Sequence, residues 1–181
     1  MFTVRRATTS DAEQLGALAR VTFPLACPSN ATTEVINAFM DKNLSVDSFT
    51  EFLSDPNREI FVAELNENSE LVGYVMGVTT PPEDEAIVAS LQTAASYELN
   101  KVYAHPDVHG MGVAQALIEQ AVERATELGF ESLWLGVNQE NVRAQKFYAK
   151  VGFEIVGDKT FQLGPILCHD FIVERQIHPA V

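Results

Sequence analysis

One stretch limits the folds open to this chain more than any other: an apolar extended run, a tight glycine turn, a long amphipathic helix and a second apolar run, in that order. Tyr97 to Ala104 reads as a strand, stopped by His105-Pro106. From Val113, apolar residues recur at Ala114, Leu117, Ile118, Ala121, Val122, Ala125 and Leu128, with Glu119, Glu123, Arg124 and Glu127 opposite. That spacing is a helix with one buried face, and Gly129 is placed to cap it. Leu133-Trp134-Leu135-Gly136-Val137 is short and continuously apolar, which suits a buried strand. Strand, turn, helix, strand is a βαβ unit, so the chain must hold two parallel strands.

The flanking sequence extends that unit into a mixed sheet. Val4 to Ala7 is a short strand, and Ser10-Asp11-Ala12-Glu13 matches a capping box that opens a helix running to Arg20. Pro24 and Pro28 interrupt the chain; residues 32–42 and 46–54 read as two more helices. Glu59 to Leu65 and Leu71 to Val78 form a hairpin around a polar turn. Pro81 to Glu85 is a loop, and Ala86 to Ala94 fits either helix or loop. Asn141 to Val151 is helical, with Gly152 placed to end it, and strands follow near 153–163 and 167–175. The expected class is α/β (α+β), a single mixed sheet flanked by helices, and with no linker in sight the whole of residues 1–181 reads as one domain.

Composition narrows the function classes. At 46% apolar and 20% charged residues, with no low-complexity tract, a soluble globular protein is expected. No run approaches membrane-spanning length and Met1 to Arg6 leads into no apolar segment, so a cytoplasmic location without membrane contact is the expectation. The net charge of −13 argues against nucleic acid as a partner and suits a cationic one. Cys27 and Cys168 have no metal-ligand spacing and read as buried thiols. His105, His109, His169 and His178 show none either, so no metal is expected.

The turn itself, His109-Gly110-Met111-Gly112-Val113-Ala114, sets small residues before a helix N-terminus. Unpaired amides and the positive end of the helix dipole make an anion cradle there, suited to a pyrophosphate. A dinucleotide-binding turn fits poorly because the third glycine is missing, and a P-loop needs a Gly-Lys-Ser/Thr that is absent. On the turn alone, a purely structural role is as good a reading as a ligand site.

A second block decides more. Asn141, Ala144, Phe147, Tyr148, Gly152 and Phe153 stand in the pattern Asn-x-x-Ala-x-x-Phe-Tyr followed by Gly-Phe, and the first block resembles Gln/Arg-x-x-Gly-x-Gly/Ala. Together, in this order and spacing, they resemble the GNAT superfamily of acyl-CoA-dependent N-acetyltransferases, over about residues 95–175. The resemblance implies a sheet that splays open between the strands near 97–104 and 133–137. It implies that acetyl-CoA is the cosubstrate, its pantetheine pairing with backbone at Val102, Tyr103 and Ala104. Its pyrophosphate would rest on the amides of His109, Gly110, Met111, Gly112, Val113 and Ala114. Asn141 would meet the pantetheine, Ala144 and Phe147 would border it, and Tyr148 would point its hydroxyl at the thioester sulfur. His109 and Met111 depart from the family's basic or amide residues, so one of Arg143, Lys146 or Lys150 is expected to meet the 3′-phosphate.

The chemistry asks for a base and an acid. An alkylamine has a pKa near ~10 and must lose a proton before it attacks, and the departing thiolate is helped by a donor. Glu98 is the candidate base, with an exposed strand-end carboxylate as its plain alternative. Tyr148 is the candidate acid, because a phenol's pKa is close to a thiol's. His169 and Asp170 fall on a late strand that could border the acceptor.

The wording around Leu133 to Val137, Asn141 to Phe153 and Phe161 to Gly164, with Thr22-Phe23, is similar to bacterial spermidine/spermine N-acetyltransferases. The acceptor expected is therefore a polyamine or other small cationic amine. A protein N-terminus or lysine is the alternative acceptor, and would require an open groove across loops 20–35 and 160–168. A non-catalytic acyl-CoA-binding module is the third reading. Oligomeric state is not readable from the residues, although the resemblance allows a homodimer through the late strands.

Overall fold

Leu71 to Val78 carries no charge and every one of its residues is buried, so this strand must lie inside a sheet covered on both faces. The computed structural model describes residues 1–177 and bears this out. Its seven strands are β1 (Phe2–Arg6), β2 (Arg58–Leu65), β3 (Leu71–Val78), β4 (Ser96–Ala104), β5 (Ser132–Asn138), β6 (Glu154–Leu163) and β7 (Ile166–Gln176). They form one sheet in the order β1-β2-β3-β4-β5-β7-β6. Only β4 and β5 run parallel; the other neighbours are antiparallel.

Helices α1 (Ala12–Thr22), α2 (Thr33–Asn43) and α3 (Val46–Ser54) cover one face, while α5 (Val113–Glu127) and α6 (Val142–Lys150) cover the other. Leu117, Ile118 and Ala121 of α5 pack with Leu133 and Leu135 of β5. On the opposite face Leu15, Leu18 and Phe49 pack on Tyr74 and Met76 of β3. The buried carboxylate of Glu59 accepts from Arg124 at 2.7 Å and lies 3.0 Å from Arg6, joining β1, β2 and α5 at one corner. Removing either partner would leave that carboxylate desolvated and underpaired.

Local chemistry corrects one expectation and decides another that was open. The capping turn at the first helix is Thr8 with Asp11, not Ser10 with Glu13: the Thr8 amide donates to Asp11 Oδ2 at 2.7 Å. Asp11 is fixed there because Arg5 grips it with two bonds of 2.9 Å, which also holds its carboxyl below the usual range. A 3₁₀ turn at residues 9–11 therefore precedes α1. Residues 86–94 resolve into a short helix, α4 (Glu85–Ser90), capped by Asp84 and followed by extended chain.

Candidate active site

β4 and β5 share only three rungs: Ser96 with Ser132, Tyr97 with Leu133, and Glu98 with Trp134. Beyond them β4 continues to Ala104 and β5 to Asn138 without pairing, so the sheet opens as a wedge. A bulge helps turn β4 away: its register with β3 shifts between Met76 and Gly77, leaving Asn100 as the extra residue. Gly77 must be glycine here, because a Cβ would sit 1.8 Å from the Tyr97 hydroxyl. A cavity of about 550 Å³ fills the wedge. Its walls include Glu98 to Ala104 on one side and Trp134 to Asn138 on the other.

At one mouth lies the glycine turn. Gly110 and Gly112 have φ of +84° and +82° with open space where a Cβ would go, so backbone conformation rather than crowding demands glycine. The turn spends two of its amides on itself: His109 N–H donates to Pro106 and Met111 N–H to Val108, both at 3.1 Å. The amides of Gly110, Gly112, Val113 and Ala114 make no such bond among the described residues, and they converge where α5 begins. Gly110, Gly112, Val113 and Ala114 all line the cavity. Met111 does not: it is exposed, and its amide, already given to the Val108 carbonyl, is not available to the expected anion cradle. His109 does border the cavity, but its Nε2 lies 3.1 Å from the Ala104 carbonyl, tying the turn back to β4.

α6 forms the facing wall. Asn141 lines the cavity while its Oδ1 accepts from the Ala144 amide at 3.1 Å, so the cap is fixed and only its NH₂ is left to give. Ala144, Phe147 and Tyr148 line the cavity as expected. Arg143 and Lys150 reach it too; Lys146, one turn from each on the same exposed side of the helix, does not line it. Tyr148 is buried against Phe147 and Phe153. Burial pushes its phenol well above the ordinary range, away from a thiol's, so it is held as a neutral donor.

The other sheet face, under α1 and α2, carries a second set of groups. Glu98 sits on the last paired rung, at the point where the wedge opens, and accepts from Asn100 Nδ2 at 2.8 Å. Lys101 lies over the Phe52 ring and donates to Asn100 Oδ1; burial, with Arg58 nearby, lowers its pKa to about 8. Asp170 also lines the cavity, with Lys159 of β6 3.7 Å from it, and burial raises its carboxyl. His169 stands on the opposite side of that strand, outside the cavity. Phe23, Phe39 and Phe161 complete an aromatic wall.

Cys27 and Cys168, distant in sequence, both border this cavity with burial raising each thiol. No cluster of metal-ligating side chains forms among the described residues, and His178 lies outside them. Outside the cavity lining, Ser29 donates from its amide and hydroxyl to Glu140 at 3.2 and 3.1 Å, joining the segment after α1 to the corner before α6.

Lys101, Lys159, Trp134 and Phe161 were not singled out by sequence reasoning. The alternation Gly157, Lys159, Phe161, Leu163 on β6 is the signal that could have found two of them, since a lysine within an inward row needs a reason.

Comparison with known proteins settles the family. The model of the acetyltransferase (GNAT) family matches residues 27–153. This chain belongs to the GNAT acetyltransferase family. A Mycobacterium tuberculosis relative described as an uncharacterized N-acetyltransferase is 41% identical over 168 residues, 93% of this acetyltransferase and 99% of the relative. The peptidyl-lysine N-acetyltransferase YjaB of Escherichia coli is 28% identical over 158 residues, 87% and 85% of the two chains. Among solved structures, the PaiA N-acetyltransferase of Thermoplasma acidophilum in complex with coenzyme A shares the fold with a TM-score of 0.76. It is 19% identical, over 97% of this acetyltransferase and 99% of that chain. The splayed mixed sheet is thus the GNAT fold, and the activity is N-acetyl transfer.

Proposed function

We propose that this N-acetyltransferase moves an acetyl group from acetyl-CoA to a small primary amine by direct attack within a ternary complex. The observation that carries this reading is the wedge, which offers one cavity with chemically different faces. On the α5–α6 face, unpaired amides at Gly110, Gly112, Val113 and Ala114 suit a pyrophosphate, and unpaired strand edges at Val102 to Ala104 suit a pantetheine amide. Arg143 and Lys150 stand ready for the 3′-phosphate. A solved fold neighbour that holds coenzyme A supports the same cosubstrate here.

On the opposite face Glu98 is the base. It takes a proton from the acceptor ammonium, directly or through one water, and the freed amine attacks the thioester carbonyl. As the C–S bond breaks, the nitrogen gives up its second proton to the departing thiolate or to water, and the Tyr148 hydroxyl donates a hydrogen bond to the sulfur that gains charge. Because burial keeps Tyr148 neutral, its contribution is a fixed hydrogen bond more than a loosely held proton.

A small acceptor is favoured because Phe23, Phe39 and Phe161 wall the acceptor side of the cavity, and the Ser29–Glu140 contact ties down the segment after α1, whose Pro28 lines that cavity. The net charge of −13 draws cationic amines, polyamines among them. Similarity to YjaB supports a second reading, in which the acceptor is a peptidyl lysine. Thiol release from acetyl-CoA with small amines, spermidine and lysine peptides separates these. Turnover with small amines and none with peptides is expected; turnover with peptides alone would overturn the small-amine reading, and binding without turnover would overturn catalysis.

A further inference from the structure

The acceptor end of the cavity holds more hydrogen-bond donors than the protein satisfies. Lys159 is the clearest case. Its side chain is 18% exposed, yet its ammonium has only Asp170 Oδ2 at 3.7 Å and the Phe161 ring at 5.9 Å. At 3.7 Å the carboxylate is an ion-pair partner and not a hydrogen-bond acceptor, so three strong donors lack one. Gly136 makes room for this lysine: a Cβ there would lie 2.4 Å from Lys159 Cε. Two residues back along β5, on the same sheet face, Trp134 is 3% exposed with its Nε1–H buried and unpartnered. Both side chains line the cavity.

Lys159 belongs to β6, but its side chain crosses to β5: its Nζ lies 3.3 Å from where a Gly136 Cβ would be, so the ammonium stands in for a side chain at that position. Same-face positions on a strand are about 7 Å apart, so a carboxylate bound by the ammonium is directed towards the Trp134 end of β5. Glu98 faces Trp134 across the last rung of the wedge. The acceptor end thus pairs one carboxylate base with a donor pair one strand away. Its charges balance, with Lys101 and Lys159 against Glu98 and Asp170, so it holds no surplus carboxylate for a second ammonium.

We propose that Lys159 and the Trp134 indole N–H hold a carboxylate of the acceptor, so that the amine acetylated is a small zwitterion of the amino-acid class. This rests on the small-amine reading above and narrows it away from polyamines. The ammonium of the acceptor lies towards Glu98, and its carboxylate displaces Asp170 as the partner of Lys159.

The test is steady-state thiol release with matched acceptor pairs, an amino acid beside the amine left when its carboxylate is removed: phenylalanine with phenethylamine, leucine with isoamylamine. The wild-type enzyme is expected to favour the acid in at least one pair by tenfold or more in kcat/KM. Lys159→Met is expected to bring that ratio close to one. Asp170→Asn keeps Lys159 and removes its competitor, and is expected to lower KM for the acid; it serves as the second variant should the first fold poorly. Equal or better use of the decarboxylated amines or of spermidine by wild type overturns the proposal while leaving the small-amine reading intact. Turnover of lysine peptides alone overturns both.

Discussion

At Tyr148 a buried ring presents its hydroxyl to the cavity with no protein partner among the described residues, in the position the family motif gives to the group facing the leaving sulfur. Tyr148→Phe keeps the packing against Phe147 and Phe153 and deletes only the donor. The expected result is a loss of about 10²-fold or more in kcat, with the KM for acetyl-CoA within twofold, since positioned donors of this kind contribute on that scale. Unchanged turnover would remove Tyr148 from the chemistry. Lys101 belongs to stability instead. With its pKa lowered from 10.5 to about 8, the folded state holds fewer protons than the unfolded chain between those values. Stability therefore rises with pH across that window, and the full penalty for a buried ammonium is felt below about pH 8. Lys101→Met is expected to stabilise the protein at pH 7 by about 1–2 kcal/mol, roughly 2–8 °C in Tm at this chain length. The gain should shrink as melts are repeated towards pH 10.

The glycine turn shows how an element can be strained by one residue and still be readable from sequence. Gly112 has φ of +82° with nothing in the way of a Cβ, so Gly112→Ala meets only conformational strain, about 1–2 kcal/mol. Relief of that strain would rotate amides out of the cradle. The expected outcome is a several-fold higher KM for acetyl-CoA with a Tm loss of a few degrees, measured by initial rates and thermal melts. This turn, α5, β5 and α6 were legible because each is local: periodicity, a cap and a glycine fix them without reference to the rest of the chain. The anion cradle was legible for the same reason, except that the His109 and Met111 amides are spent on the 3₁₀ turn at residues 106–108, and that the His109 ring turns back to the Ala104 carbonyl. Asp11 displaced the expected capping box because a distant partner, Arg5, holds it. The acceptor side was legible only at Glu98, Asp170 and the Thr22-Phe23 pair. Register sets Lys159 beside Asp170 and, beyond it, Asn138; only its side chain, crossing β7 to Gly136, brings the ammonium near the Trp134 end of β5, and Gly136 read as an ordinary strand residue until that chain was seen to fill the space.

Taken as one object, the sheet is two antiparallel plates, β1 to β4 and β5 to β7, held edge to edge by three rungs and by the helices that span them. Glu140 adds an exposed contact between the segment after α1 and the corner before α6, and Glu140→Ala is expected to move Tm by less than about 2 °C in thermal melts, as exposed contacts contribute little to stability. The short seam has a further consequence. On the proposed reading, a cosubstrate seated in the wedge would occupy the edges that the two plates leave bare, and its binding energy would also be cohesion between them. By linkage, acetyl-CoA at a hundred times its Kd should add about 2.7 kcal/mol to unfolding, with amide exchange slowing most at residues 99–104 and 135–138. The same reciprocity runs backwards: whatever pries the plates apart weakens affinity for the cosubstrate. A cell short of acetyl-CoA would then hold this enzyme not only idle but looser, and shorter-lived wherever proteases sample the open seam.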